Sequence, residues 1–320
     1  MANIKKRAVL LALFLGLAAV FVAALWLAVA RRAPLNANTT EGTITVVASF
    51  YPLAEFAARV GGDRVRVVNI TPPGTEPHEY EPTPLEIAGV YKAKLFLYNG
   101  NGIDGWADRL ADDIRSKGVI VSRMSDQVDV LETDTDDEGE AYDPHIWLDP
   151  RNAQKIIGLT AKLLSDADPD GAGAYEANRD AYIQTLTELD QAYRSGLEQC
   201  ASRTIVTTHN AFRYLARQYA LDTEYILGLS PDEDPSPRRL AEIADLAKVR
   251  GIKVIFFETL VSPKIAQTIA NEIGAETLVL NPLEGLTEEE LRAGKSYVSV
   301  MLENLSNLKT ALTCQENSPS

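Results

Sequence analysis

The sequence predicts an α/β protein of two lobes, each a mostly parallel sheet covered by helices, with one long connecting helix between them. Three observations support this fold class. The 320 residues, 46% of them apolar, exceed a single typical core. Strand-like and helix-like segments alternate along the chain, and one long helical segment separates two such sets. We therefore expect an N-terminal lobe at 43–168, the long helix at 169–199 and a C-terminal lobe at 200–320.

Strands and helices alternate throughout the first lobe. The strand-like segments are TITVVAS (43–49), DRVRVVNI (63–70), KLFLYN (94–99) and GVIVS (118–122). The helical segments are PLAEFAARVGG (52–62), TPLEIAGVYKA (83–93) and GWADRLADDIRS (105–116), followed by a helix at 151–165. This alternation is typical of a parallel sheet covered by helices.

The long helix and the strands of the second lobe are also predicted from the pattern of apolar residues. Apolar residues of the helix recur at spacings of three, four and seven: Tyr175, Tyr182, Leu186, Leu189, Tyr193 and Leu197. They give it one apolar face and a length of roughly 35–40 Å. The strands of the second lobe are RTIVTTH (203–209), TEYILG (223–228), GIKVIFFE (251–258) and AETLVLN (275–281).

Four helix starts carry a capping side chain directly before a proline: Thr83-Pro84, Asp149-Pro150, Ser236-Pro237 and Ser262-Pro263. A proline fits the first helical position, and a Ser, Thr or Asp side chain accepts from the free amides there. Thr83 and Glu86 also form a predicted capping box. Asp149 is therefore expected to be a cap and not a ligand.

The N-terminal segment, residues 1–42, predicts export. Lys5, Lys6 and Arg7 precede an apolar run at 8–30, which is long enough to cross an apolar core of roughly 30 Å. Its length favours an uncleaved membrane anchor, whereas its end, Ala28-Val29-Ala30, is typical of a cleaved signal. No cysteine ends the run, which disfavours a lipid anchor. A polar tether follows at 31–42.

Charge and cysteine content narrow the function further. The formal net charge of −14 disfavours a nucleic-acid partner, because phosphate binding needs a basic face. Cys200 and Cys314 are the only cysteines. In an exported chain they predict one disulfide, between the end of the long helix and the final helix, with two free thiols as the alternative.

The three histidines occupy corresponding places. His78, His145 and His209 each follow a strand or turn and precede a helix start. Such connections line the crevice at the carboxyl ends of the strands in open α/β sheets, so the three imidazoles can converge between the lobes. Imidazole is a common metal ligand at neutral pH, and the pattern therefore favours a shared metal ion.

Four motifs then resemble one family: HEYEPTP, DPHIWLDP, THNAFRYLA and LNPLEGLTEEE. Together they are similar to the zinc- and manganese-binding substrate-binding proteins of ABC importers, the ZnuA/TroA type, over nearly all of residues 43–312. The resemblance implies two α/β lobes bridged by a long helix. It also implies a monomer, not an enzyme, that captures a divalent metal ion in the periplasm or at the outer membrane face and delivers it to a permease.

The resemblance implies the ligands as well. His78, His145 and His209 match the three histidine positions of the zinc-binding members, and Glu284 matches the carboxylate. Glu258 is the alternative fourth ligand, or it orients a ligating histidine. Three nitrogens and one oxygen suit Zn²⁺. Manganese-binding relatives replace the third histidine with a carboxylate, so Mn²⁺ is the less favoured ion.

Some features depart from this interpretation. Many zinc-binding members have a histidine-rich loop before the HIWLDP motif, whereas this chain has an acidic loop at 132–140, expected to be a solvated surface. GNGIDG at 100–105 matches a dinucleotide-binding pattern, but a single match is weak in an exported protein. A zinc hydrolase, with a glutamate as base, and an adhesin stay as alternatives.

Overall fold

The computed structural model describes residues 43–133, 142–231 and 235–315. The predicted apolar run at 8–30, the tether at 31–42 and most of the acidic loop at 132–140 lie outside these residues. Within the described ranges, no helix has both the length and the apolar character needed to span a membrane.

The order of elements follows the predicted alternation. The N-terminal half contains β1 (Ile44–Ala48), α1 (Tyr51–Gly61), β2 (Val65–Asn69), α2 (Pro84–Val90), β3 (Leu95–Tyr98), α3 (Gly105–Ser116), β4 (Ile120–Arg123) and α4 (Pro150–Ala167). The long helix is α5 (Ala172–Gly196). The C-terminal half contains β5 (Thr204–Thr207), α6 (Arg213–Tyr219), β6 (Asp222–Tyr225), α7 (Pro237–Arg250), β7 (Val254–Phe257), α8 (Lys264–Ile273), β8 (Glu276–Val279), α9 (Glu288–Arg292) and α10 (Tyr297–Ala311).

All strand pairs among these elements are parallel, which confirms the predicted α/β class. The N-terminal half has one sheet of order β2-β1-β3-β4. In the C-terminal half β5 pairs with β6 and β7 with β8, and β5 lies next to β7. Parallel strands bring their carboxyl ends to one edge, so the loops that follow them share a crevice.

The long helix α5 packs against α4 and α1 of the N-terminal half and against α10 of the C-terminal half. It has 25 residues, about 37 Å at 1.5 Å per residue, and is shorter than the predicted 169–199. A separate 3₁₀ turn at Pro169–Gly171 precedes it. Its predicted apolar face is buried: Tyr175, Tyr182, Leu186, Leu189 and Tyr193.

One large apolar cluster runs through both halves and includes the face of α5. Trp147, Tyr193 and Tyr297 are among its largest fully buried side chains. Two smaller clusters lie apart from it, one in each half, around Trp106 and around Ile255. The two halves therefore share a core, in addition to having cores of their own.

Three of the four predicted caps are present. Thr83, Asp149 and Ser236 accept hydrogen bonds from backbone amides of α2, α4 and α7, and Thr83 forms the capping box with Glu86. The prediction for Ser262 is wrong. Helix α8 begins at Lys264, Pro263 itself takes the cap position with helical backbone angles, and no side chain caps it.

The Cys200–Cys314 disulfide is present, as the sequence predicts. The two cysteines also form an isolated antiparallel bridge, beside which Ala201 and Ser202 donate backbone hydrogen bonds to Thr313 and Leu312. The bond joins the chain after α5 to the chain after α10, so it links the beginning of the C-terminal half to its end.

Candidate metal centre

Each of the predicted site residues lies on a connection that follows a strand. His78 lies between β2 and α2, and His145 between β4 and α4. His209 follows β5 by two residues, and Glu284 follows β8. Because the strands in each sheet or pair are parallel, these connections meet at one edge, and the structure brings all four side chains together.

The Oε1 atom of Glu284 lies at the centre of the group. It is 3.1 Å from Nε2 of His145, 3.2 Å from Nε2 of His209 and 3.6 Å from Nε2 of His78. The Nε2 atoms of His145 and His209 are 3.3 Å apart. All four potential ligand atoms lie within 4.8 Å of one another.

These separations suit a small tetrahedral ion. Bonds of about 2.0–2.1 Å in a tetrahedron place the ligand atoms roughly 3.3–3.4 Å apart, close to the 3.1–3.6 Å between Glu284 and the histidines and the 3.3 Å between His145 and His209. His145 and His209 are fully buried, Glu284 is 1% exposed, and the side chain of His78 is 6% exposed. Buried atoms without a hydrogen-bond partner among the described residues include Nε2 of His78 and Oε2 of Glu284. The donor set and its spacing fit a Zn²⁺ ion.

Two carboxylates lie beside the far nitrogens, Nδ1, of the buried histidines. Oδ1 of Asp143 lies 2.9 Å from Nδ1 of His145, and Oε2 of Glu258 lies 2.7 Å from Nδ1 of His209. A carboxylate at Nδ1 favours the tautomer that leaves the Nε2 lone pair directed at a metal. Glu258 therefore lies behind His209, and Glu284 alone of the two glutamates faces all three Nε2 atoms.

Sequence reasoning missed Asp143 and Glu76, although a signal was available. Both precede a histidine by two residues, in Glu76-Pro77-His78 and Asp143-Pro144-His145. In each turn the acidic side chain accepts the backbone N–H of the histidine, at 3.0 Å for His78 and 2.9 Å for His145. The repeated acid-Pro-His pattern therefore indicates two turns that fix the histidine backbone.

The electrostatics of the centre are those of buried, opposed charges. Burial by itself lowers the pKa of His209, but the carboxylates of Glu258 and Glu284 outweigh it and hold that pKa well above its ordinary value. Burial by itself raises the pKa of Glu284, but the charge of His209 and hydrogen bonds with His145 and His209 hold it well below its ordinary value. Burial lowers the pKa of His78. Burial and the nearby Glu284 charge raise the pKa of Glu76 to about 10.

The glycine-rich turn GNGIDG supports the centre. Asp104 is buried and accepts hydrogen bonds from the backbone amides of Asn99 and Gly100, so its carboxylate occupies donors that a phosphate would need. The side chain of Asn99 donates to the carbonyl oxygen of Pro144 at 2.9 Å, directly before His145. The match to the dinucleotide pattern therefore reflects a turn that braces the His145 segment.

A buried three-nitrogen, one-oxygen centre at the strand ends of two parallel α/β halves, joined by one long helix, defines a class of metal-binding receptors. Residues 46–311 match the family described as zinc-uptake complex component A, periplasmic. The chain belongs to this ZnuA family.

Two curated relatives are similar over most of this chain. The zinc-binding lipoprotein AdcA of Streptococcus pneumoniae is 39% identical over 284 residues, 86% of this chain and 57% of the relative. The high-affinity zinc uptake system protein ZnuA of Bacillus subtilis is 38% identical over 288 residues, 87% of this chain and 90% of the relative. The chain thus spans little more than half the length of the streptococcal protein.

A solved structure agrees with the fold. The Zn(II)-bound ZnuA-like domain of Streptococcus pneumoniae AdcA is 40% identical and superposes with a TM-score of 0.76. The match covers 85% of this chain and 99% of that domain. The similarity therefore extends through both halves and the connecting helix.

Proposed function

We propose that this protein is the extracytoplasmic receptor of an ABC importer, which binds Zn²⁺ through His78, His145, His209 and Glu284 and delivers it to the permease. The observation that carries the proposal is the buried convergence of three Nε2 atoms on Oε1 of Glu284, at spacings of 3.1, 3.2 and 3.6 Å. The zinc-named relatives and the family match support the same conclusion.

The donor set favours zinc over manganese. Three imidazoles and one carboxylate complete a tetrahedron, whereas Mn²⁺ prefers more oxygen donors and a larger coordination number. The arrangement also disfavours a hydrolase. Catalytic zinc keeps an open position for water, whereas four protein ligands close the coordination shell. Glu258, a candidate base, is 2.7 Å from Nδ1 of His209 and is thereby engaged behind the ligand.

The first test is the metal itself. We expect protein purified without added metal to contain close to one zinc ion per chain, measured by elemental mass spectrometry. Substituting His145→Ala removes one of four donors, so zinc affinity measured by calorimetry should fall by at least tenfold while circular dichroism stays native.

A neighbouring substitution supplies the control. Asp149 caps α4 through the Arg151 amide at 2.8 Å, so Asp149→Ala should cost about 0.5–2 kcal/mol of stability and leave zinc affinity nearly unchanged. If His145→Ala binds zinc as tightly as the parent, the ligand assignment is wrong. If the parent binds manganese in preference to zinc, the proposed cargo is wrong.

The proposal extends to the N-terminal segment, which we infer keeps a monomeric receptor at the outer face of the membrane. Its support is the basic and then apolar sequence at 5–30, together with the periplasmic description of the family. Intact mass measurement of the native protein should find residues 1–30 retained in the membrane fraction. A soluble mature protein beginning near Arg31 would show cleavage instead.

A further inference from the structure

The segment that carries Glu284 has an unfavourable backbone conformation. Leu283 has a φ of 59°, in the left-handed region that β-carbon sterics disfavour for a leucine, and its side chain is fully buried. A non-glycine residue stays in such a conformation only when surrounding contacts hold it there. The orientation of Glu284 therefore depends on what anchors residues 281–283.

Two sets of hydrogen bonds anchor this segment. On one side, Asn304 accepts from the backbone N–H of Asn281 at 2.8 Å and donates to its carbonyl oxygen at 2.7 Å. The side chain of Asn281 in turn accepts the N–H of Leu283 at 2.8 Å. On the other side, the indole Nε1 of Trp147 donates to the carbonyl oxygen of Pro282 at 2.7 Å. The Trp147 bond is the one that comes from the N-terminal half.

Trp147 is itself rigidly held. It is fully buried, its ring lies 4.8 Å from that of Phe50 in an edge-on arrangement, and its carbonyl oxygen accepts the hydroxyl of Tyr297 at 2.6 Å. It follows His145 by two residues, and Pro282 precedes Glu284 by two. The indole N–H of Trp147 therefore connects the segment of His145, in the N-terminal half, to the segment of Glu284, in the C-terminal half.

We propose that Trp147 is a positioning residue of the metal centre, whose hydrogen bond to Pro282 holds Glu284 in register with His145 before the ion arrives. This inference rests on the proposed function, because it concerns how that zinc site is built. The fixed geometry gives zinc a preformed fourth ligand, so less free energy is lost in ordering the site on binding. The contact does not touch the metal, and its effect passes through Glu284.

The test is a double-mutant cycle on metal-stripped protein. Trp147→Phe keeps an aromatic ring and removes the N–H donor. Zinc affinity is measured by competition with a chromophoric chelator in four proteins: the parent, Trp147→Phe, Glu284→Ala and the double variant. We expect Trp147→Phe to weaken zinc binding about tenfold in the parent and to have almost no effect once Glu284 is absent.

Trp106→Phe is the matched control. It makes the same side-chain change at another buried tryptophan, in the separate apolar cluster of the N-terminal half, and should leave zinc affinity unchanged while lowering stability. A purely structural role for Trp147 predicts an equal loss of affinity in both backgrounds, and that result would overturn the proposal. A similar loss for Trp106→Phe would overturn it as well.

Two further outcomes separate the proposals from each other. If the parent itself does not bind zinc, the proposed function is wrong. If the parent binds zinc but the cycle shows no coupling, only the positioning role is wrong. If Trp147→Phe does not fold, as judged by thermal unfolding, Asn304→Ala takes its place in the cycle, because it releases the same segment from the other side. We then expect Asn304→Ala to weaken zinc affinity in the parent and to have almost no effect in the Glu284→Ala background. An equal loss of zinc affinity in both backgrounds would contradict the positioning of Glu284.

Discussion

Two carboxylates face the imidazole of His209, Glu258 at Nδ1 and Glu284 at Nε2. They hold the pKa of His209 well above its ordinary value, against the opposing effect of burial. In the metal-free protein His209 therefore holds its proton to a higher pH than a free imidazole does, and this charge offsets part of the negative charge of Glu258 and Glu284. Under the proposed function, zinc displaces this proton on binding, so metal and proton compete for Nε2.

This competition predicts opposite pH dependence for the metal-free and zinc-bound proteins. His209 has a folded pKa above its unfolded value of about 6.5, so its contribution to metal-free stability is full below that value and is lost as pH rises through the folded pKa. Glu76, with a pKa raised to about 10, acts in the same direction. From about pH 6.5 to 8.5 the metal-free melting temperature should fall, while the increase caused by saturating zinc should grow.

Thermal unfolding followed by circular dichroism, with and without zinc, measures both trends. Glu258→Gln is an informative variant, because removing one carboxylate lowers the pKa of His209 and should move the pH dependence of zinc binding downwards. A zinc-induced shift that stays constant across this pH range would contradict a proton-bearing His209.

At the level of helices and strands, a Ser-Pro pair is an incomplete guide to where a helix begins. Ser236-Pro237 and Ser262-Pro263 share the Ser-Pro dipeptide, yet of the two only Ser236 caps a helix, through the amide of Arg239 at 3.1 Å. The Ser-Pro pair permits a cap but does not impose one, because Pro263 can adopt helical backbone angles without serving as the first helical residue. Local sequence thus places a helix start to within about one residue.

In the two acid-Pro-His turns, the local sequence determines the backbone conformation more strictly than it does at the Ser-Pro pairs. Glu76 and Asp143 each accept the amide of the histidine two residues later, and proline between them restricts the backbone. Each turn presents its histidine from a fixed backbone, so the imidazole needs to order few torsions on binding metal. His209 has no such turn; the carboxylate of Glu258, at the end of β7, accepts its amide at 3.3 Å instead.

On the scale of the whole molecule, the two halves are joined by apolar packing and by hydrogen bonds as well as by the connecting helix. The shared apolar cluster, helix α5 and the hydrogen bonds of Trp147 and Tyr297 all cross between them. Tyr297 also donates its backbone N–H to Glu55 of α1 at 2.7 Å. These contacts favour small relative movements of the halves, in contrast to receptors that close around paired flexible loops.

The Cys200–Cys314 disulfide constrains the C-terminal half and leads to a further prediction. The bond spans 114 residues of sequence, so the chain-entropy treatment of the unfolded state gives up to about 4–5 kcal/mol of stabilisation. Replacing both cysteines by serine should therefore lower the melting temperature substantially. Zinc affinity of the folded protein should stay the same, because the bond lies outside the metal centre. Calorimetric unfolding and zinc titration of the double variant measure the two effects.

Free-thiol titration of the denatured, unreduced parent is the control for that comparison. It should find no reactive thiol. Two reactive thiols per chain, or a variant as stable as the parent, would contradict a stabilising disulfide.

The sequence alone was sufficient for the α/β class, the alternation of strands and helices and the three histidines that converge. Alternation of helical and strand periodicity predicts parallel strands, and parallel strands bring the loops after them to one edge. The family resemblance of DPHIWLDP and LNPLEGLTEEE then implied His145 and Glu284 as ligands, with Glu258 as the alternative to Glu284. All of these are properties of local pattern or of motif, which a linear sequence contains.

The tertiary structure alone separated the positions of Glu284 and Glu258, because both follow strands of the same half and only their distances to Nε2 and Nδ1 of His209 distinguish them. It also revealed the bond from Trp147 to Pro282, whose partners are 135 residues apart. Such pairings depend on how the two halves dock over the shared core. Docking is set by the packing of many side chains at once, and no local pattern of residues encodes it.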